Sequence, residues 1–285
     1  MSFEDVYYWN ADGLTLYARD YHNPEATLTA LCLPGLTRNS ADFEDLCESL
    51  QPDFRVIAVD QRGRGKSDWA RSPEHYTPAT YVQDMFALIE TLKLERIALI
   101  GTSLGGLMSM MMNAMQPGRF AGIVLNDIGP EVDPVGLERI RGYVGKVEAV
   151  DEWREAIEHT RAKQGAAFPD MPPAGWEKFA RRTYARTEEG RLAPAYDPAI
   201  SEPMNAAPAE AAAPDLWPVF DLMKDVPLMV VRGELTDILP VSCVEEMKKR
   251  KPDVEVVEVA RVGHAPVLDE PGVMPAIHAF LKKLG

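Results

Sequence analysis

Apolar positions change their period along this chain. Two short alternating runs, at 6–9 and 14–18, flank Asp12-Gly13, and a turn dipeptide between such runs predicts an antiparallel hairpin. Beyond it the alternation gives way to short continuous apolar runs at 30–33, 56–59, 97–100, 123–125, 228–231 and 254–259. Most are too short for helices, and unbroken apolar character fits strands covered on both faces. Helical periods lie between them. Thr77-Pro78 supplies an N-cap and a first-turn proline ahead of Val82, Met85, Phe86 and Ile89 on one face. Ser242 with Glu245 reads as a capping box before Met247, and Val273, Ile277, Phe280 and Leu281 mark a last helix. Strand alternating with helix predicts an α/β fold with a doubly wound, mostly parallel sheet.

One region breaks the alternation. From about 131 to 216 the chain has Trp153, Trp176, Tyr184 and amphipathic stretches but no obvious strand, and it ends in the Ala/Pro-rich "APAYDPAISEPMNAAPAEAAAPDLWP". We expect a helical insertion at 131–216, returning through an irregular linker to a core made of 1–130 and 217–285.

Charge narrows the partners. Among 285 residues, 30 are Lys or Arg and 44 Asp or Glu, a formal net charge of −14. Such a surface repels phosphate backbones and anionic lipid, so a small molecule is the expected partner, with no nucleic acid and no membrane. The excess is uneven: residues 131–191 carry 11 basic and 12 acidic side chains, so the insertion is nearly neutral on an acidic body. That contrast could help a pocket beneath it to accept an anion. No apolar run reaches the roughly 18 to 20 residues that span a bilayer, and "MSFEDVYYWN" has acids where a secretory signal has basic and apolar residues. Cys32, Cys47 and Cys243 have no metal-ligand spacing and read as unpaired thiols of a cytoplasmic protein, so no metal and no other cofactor is expected.

The chemistry concentrates on Ser103. "GTSLG" at 101–105 fits G-x-S-x-G between a predicted strand and a predicted helix, where a sharp turn would expose the serine hydroxyl as a nucleophile. Attack on a carbonyl also needs a base, a group to orient it, and donors for the oxyanion. Of five histidines only His264 directly follows a strand, in "VEVVEVARVGHAP". Two acids follow strands at the same predicted edge, Asp237 in "VVRGELTDILP" and Asp127 in "IVLNDIGP", and chain order alone does not separate them. Asp60 in "VDQRGRGKSD" precedes the serine and is expected to hold a turn with Arg62 or Arg64. The oxyanion donors would be the backbone N–H groups of Leu104 and Leu36. The methionines after Ser103 (Met108, Met110, Met111, Met112, Met115) are expected to pack in the core.

Taken in order, the hairpin, "LPGL", "DQRGRGKSD", "GTSLGG", "RGELTDIL", "GHAPVLDEP" and the terminal helix resemble the α/β-hydrolase superfamily over essentially the full length. The resemblance implies Ser103 as nucleophile, His264 as general base and Asp237 as orienting acid, with Asp127 the alternative because some relatives place the acid after the earlier strand. It implies that the insertion is the cap that sets substrate choice. Where many relatives have histidine before the oxyanion glycine, this chain has Pro34. The expected activity is cofactor-free hydrolysis of a carboxylic ester of a small or medium-sized molecule. The same machinery serves relatives that cleave carbon–carbon bonds, lactones or thioesters, and a non-catalytic ligand-binding role is the remaining alternative.

Overall fold

The computed structural model describes residues 3–146, 148–206 and 215–285. The core follows the order β1 (Glu4–Trp9), β2 (Thr15–Tyr21), β3 (Thr29–Leu33), α1 (Glu44–Leu50), β4 (Arg55–Asp60), α2 (Pro78–Thr91), β5 (Ile97–Thr102), α3 (Leu104–Met115) and β6 (Phe120–Asn126). An inserted stretch holds α4 (Pro134–Tyr143), α5 (Trp153–Gln164), α6 (Pro173–Thr183), β7 (Tyr184–Arg186), β8 (Leu192–Pro194), α7 (Glu202–Ala206) and α8 (Trp217–Asp221). The core resumes with β9 (Leu228–Gly233), α9 (Val241–Arg250), β10 (Glu255–Val259) and α10 (Val273–Lys283). Eight strands form one sheet in the order β1-β2-β4-β3-β5-β6-β9-β10. β2 runs antiparallel to both neighbours, and every other pairing is parallel.

The continuous apolar runs conceal a period of two. Leu31, Leu33, Ile57, Val59, Leu99, Leu125 and Val230 face one core, which α2, α3 and α9 cover with Val82, Met85, Met108, Met112 and Met247. Ala30, Cys32, Val56, Ala58, Ile100, Val124 and Val231 face the other, closed by Leu46 and Leu50 of α1 and by Ile277 and Phe280 of α10. Successive side chains leave a strand on opposite faces, and both faces here are covered, so every position is apolar. Met108, Met110 and Met112 are buried, as expected, whereas Met115 is exposed. The three cysteines are free and buried, and burial pushes the Cys243 thiol up to about 11. Among the described residues no helix is long and apolar enough to cross a membrane, and no group of His, Cys, Asp and Glu could hold a metal ion.

Three expectations need correction. α9 begins at Val241 with Pro240 at its N-cap and no side-chain cap, so Ser242 lies inside the first turn and the capping box does not form. The insertion is not purely helical: Tyr184, Ala185 and Arg186 pair antiparallel with Pro194, Ala193 and Leu192. Part of the Ala/Pro-rich connector is ordered too, as α7, while its residues 207–214 lie outside the described ones. Asp60 does hold a turn, but by accepting from the backbone N–H groups of Ser40 (2.7 Å) and Lys66 (2.8 Å) rather than by pairing with Arg62 or Arg64. Arg62 pairs with Asp84 and Asp12 instead.

The insertion packs on an aromatic cluster and is tied to the core through its middle. Phe168, Trp176 and Phe179 make a cluster of its own, with edge-on ring contacts. The Asn39 amide donates to the Arg182 carbonyl at 2.8 Å, and the N–H groups of Asp197 and Gly65 bond Gly63 and Ala195 at 2.8 and 2.9 Å.

Candidate active site

The turn from β5 to α3 is too tight for side chains beside the serine. Ser103 sits at φ 51°, ψ −112°. A Cβ on Gly101 would lie 2.3 Å from the Gly105 carbonyl oxygen, and one on Gly105 would lie 2.0 Å from that of Leu33, so only glycine lets helix, turn and strand approach this closely. The Ser103 N–H bonds the Asn126 carbonyl at 2.9 Å, which fixes the turn to the end of β6. Positive φ at a non-glycine residue is a sparsely populated conformation, held here by the surrounding packing.

His264 follows β10 and turns its ring back to this serine. Its Nε2 lies 2.8 Å from Ser103 Oγ, and its Nδ1 lies 2.7 Å from Asp127 Oδ2. The His264 side chain is 8% exposed and the Asp127 side chain fully buried. Asp127 sits just past β6 at φ 57°, where the chain swings out of the sheet toward the insertion. Its carboxylate also accepts from the Gly233 N–H at 2.9 Å and the Thr236 hydroxyl at 2.5 Å. Three donors on one carboxylate compensate its burial.

Asp237, the acid favoured from the sequence, does not reach the imidazole. Its carboxylate takes a two-pronged bond from Arg139 of α4, at 2.5 and 2.7 Å, and that guanidinium holds its pKa below the ordinary aspartate value. The turn after β9 therefore presents Thr236 to the histidine's partner and Asp237 to the insertion. Of the other histidines considered, His22 is exposed and His278 pairs with Asp53.

The loop after β3 lies against the serine: a Cβ on Gly35 would stand 3.8 Å from that of Ser103. Neither the Leu36 N–H nor the Leu104 N–H, at the first position of α3, has an acceptor among the described residues. The Leu36 carbonyl is held at 2.8 Å by Arg64 Nε, from a fully buried guanidinium that also donates to Tyr81 and the Arg62 carbonyl. Two supporting residues escaped the sequence reading. Thr236 precedes Asp237 in the chain, and Asn126 precedes Asp127, the acid that reaches the imidazole. The Asn126 amide donates to Thr102 Oγ1 at 3.0 Å and to the Pro266 carbonyl at 2.8 Å, linking the nucleophile turn to the histidine loop. Only the adjacency "ND" and "TD" marked them.

Ser103 and His264 open into a small cavity of about 80 Å³, roofed by Ile140, Tyr143, Phe168 and Phe179 of the insertion. An activated serine facing two free N–H donors under an apolar roof can perform acyl transfer.

Comparison with known proteins identifies the family of the fold. The profile of a family described as alpha/beta hydrolase fold matches residues 31–271. The chain is 32% identical over 265 residues, 90% of each chain, to a protein of Cupriavidus necator named 3-hydroxybutyrate-oligomer hydrolase. It is 31% identical over 232 residues to the 2-(acetamidomethylene)succinate hydrolase of Mesorhizobium japonicum, covering 81% of this chain and 79% of that one. A crystal structure of an alpha/beta hydrolase from Novosphingobium aromaticivorans superposes with a TM-score of 0.94 at 44% identity, over 99% of both chains.

Proposed function

The chain belongs to the α/β-hydrolase family and is a hydrolase, and from that premise we propose that it hydrolyses a carboxylic ester of a small molecule with Ser103, His264 and Asp127. The observation that carries this reading is the pair of hydrogen bonds at 2.8 and 2.7 Å running from Ser103 Oγ through the imidazole to a buried carboxylate. His264 Nε2 takes the serine proton as Oγ attacks the ester carbonyl. Asp127 holds Nδ1–H and stabilises the imidazolium that forms. The N–H groups of Leu36 and Leu104 receive the negative charge on the carbonyl oxygen. Collapse expels the alcohol, which leaves with the proton from His264, and the acyl group stays on Ser103. Water, deprotonated by His264, then attacks the acyl-enzyme and releases the acid, so one ester and one water become one acid and one alcohol. The inserted helices act as the cap over this chemistry.

A carboxylic ester fits one of the two relatives as well as the cavity. Units of 3-hydroxybutyrate in an oligomer are joined by such esters, and the relative named for them is the more similar of the two described above. The deciding experiment is labelling with a fluorophosphonate. One adduct per chain is expected by intact-protein mass spectrometry, absent in Ser103→Ala, which should also lose hydrolysis of a short p-nitrophenyl ester. An adduct or an activity that survived Ser103→Ala would remove the serine from the mechanism.

A further inference from the structure

Arg38 stands where three cavities meet. It lines the catalytic pocket, a side chamber of about 60 Å³ under the insertion, and a wide groove that opens toward solvent. Its guanidinium stacks 3.9 Å from the centre of the Phe179 ring, and Nη2 donates to Asp42 Oδ1 at 2.6 Å. These two contacts fix the plane of the fork. They leave a donor over: Nη1 makes no hydrogen bond among the described residues, and the side chain keeps 17% of its surface exposed. A guanidinium offers five N–H groups, and one left open can take a ligand oxygen through a charge-assisted bond.

The charge around this fork is unusual for this protein. The formal net charge of the whole chain is −14. Yet the side chamber is lined by Arg38 and Lys163 and by no carboxylate, and the catalytic pocket adds Asp42 as its one acid. Lys163 lies in the last turn of α5, exposed, without an ion pair or hydrogen bond among the described residues. Taken together, the catalytic pocket and the side chamber set Arg38 and Lys163 against Asp42, a net positive lining inside an acidic body. Thr37, Thr160 and Gln164 complete a polar chamber wall.

The geometry points to a carboxylate-binding subsite formed by Arg38 and Lys163, so that the substrate is an ester carrying a free carboxylate a few bonds from the scissile carbonyl. This deepens the serine-esterase reading and rests on it. The two small volumes suit one short unit at Ser103 and one carboxylate in the chamber. A planar guanidinium already braced by Asp42 and Phe179 loses little freedom when it takes a carboxylate through its remaining donors. Lys163 adds attraction at the rim, weakened by its exposure.

The test compares mono-p-nitrophenyl glutarate with p-nitrophenyl pentanoate, which differ by the terminal carboxylate. The readout is the ratio of kcat/KM for the two esters. The wild-type ratio is expected to favour the anion about tenfold or more. Arg38→Met should lower it about tenfold or more, Arg38→Lys by less, and Lys163→Met about threefold, with rising salt eroding the wild-type ratio. Lys249→Met, the same charge change on an exposed helix, should leave the ratio alone. A wild-type ratio near one, or an Arg38→Met enzyme that kept the wild-type ratio, would overturn the subsite while leaving Ser103 in place. The exposed Lys163 variant keeps the test decisive if Arg38→Met fails to fold: an unchanged ratio there removes Lys163 and with it the paired site. Cleavage of both esters that survived Ser103→Ala would bring down the esterase reading and the subsite together.

Discussion

The end of β6 and the turn after β9 sit side by side on one edge of the sheet, and each presents an aspartate. Asp127 is fully buried and accepts three hydrogen bonds, one of them from the imidazole. Asp237 is 32% exposed and holds Arg139 of the insertion. The two acids occupy the same kind of position, yet one is aimed at the imidazole and the other at the insertion above it. What separates them is the company each finds, not its place in the strand order. A buried carboxylate must be met by donors, and the β9 turn supplies them to Asp127 from the Gly233 N–H and the Thr236 hydroxyl. That same turn carries Asp237 outward, where a cation 98 residues earlier in the chain receives it.

The sharpest way to break the comparison is to neutralise each acid in turn. Asp127→Asn should lower kcat by up to about ten-thousandfold, because an amide cannot hold the imidazole tautomer or stabilise the imidazolium. Asp237→Asn should keep most of the activity. Steady-state kinetics on folded, monodisperse variants would decide it, and the reverse order of losses would return the acid to Asp237.

A smaller effect sharpens the same contrast. Thr236 Oγ1 lies 2.5 Å from Asp127 Oδ2, so a carboxylate at position 236 would stand close to where Asp127 now meets His264. Asp at 236 could also keep the bonds that Thr236 makes to the N–H groups of Ile238 and Leu239. Adding Thr236→Asp to Asp127→Asn should therefore restore kcat by about tenfold or more over the single variant, as a charged hydrogen-bond partner returns to His264. No recovery in a stably folded double variant would mean that only the end of β6 can aim the acid.

The legibility of this chain follows the same division. The centre of the sheet was readable because its strands are covered on both faces, so five or six residues together betray each one, and Ser103 and His264 were readable because turn chemistry is local. The choice between Asp127 and Asp237 was not, since it depends on Arg139 and Thr236, which reach the two carboxylates only after folding. β7 and β8 escaped for a different reason. They are three residues each, and only Tyr184 and Leu192 are buried, too few to show a period. The Ser242 and Glu245 pattern misled because spacing fits a capping box whether or not the helix starts two residues earlier.

The smallest expected effect lies in how the two acids respond to pH. Arg139 holds the folded Asp237 pKa below the ordinary 3.8, so this pair stabilises the fold fully above that value. The contribution fades as the pH falls through the lower folded value and Asp237 becomes protonated. Both partners are about one-third exposed, which limits the pair to about 0.5–1 kcal/mol. Asp237→Asn should therefore lower the urea midpoint slightly at pH 7, and the gap from the wild type should close below about pH 4. Arg139→Met should give a gap of similar size with the same pH dependence, because it removes the same pair from the other side. If the gap persisted unchanged at pH 3, Asp237 would be acting through packing or its turn rather than through Arg139. A fall of kcat of more than about tenfold in either variant would show that the roof contact also shapes the reaction, and the separation of the two acids would no longer hold.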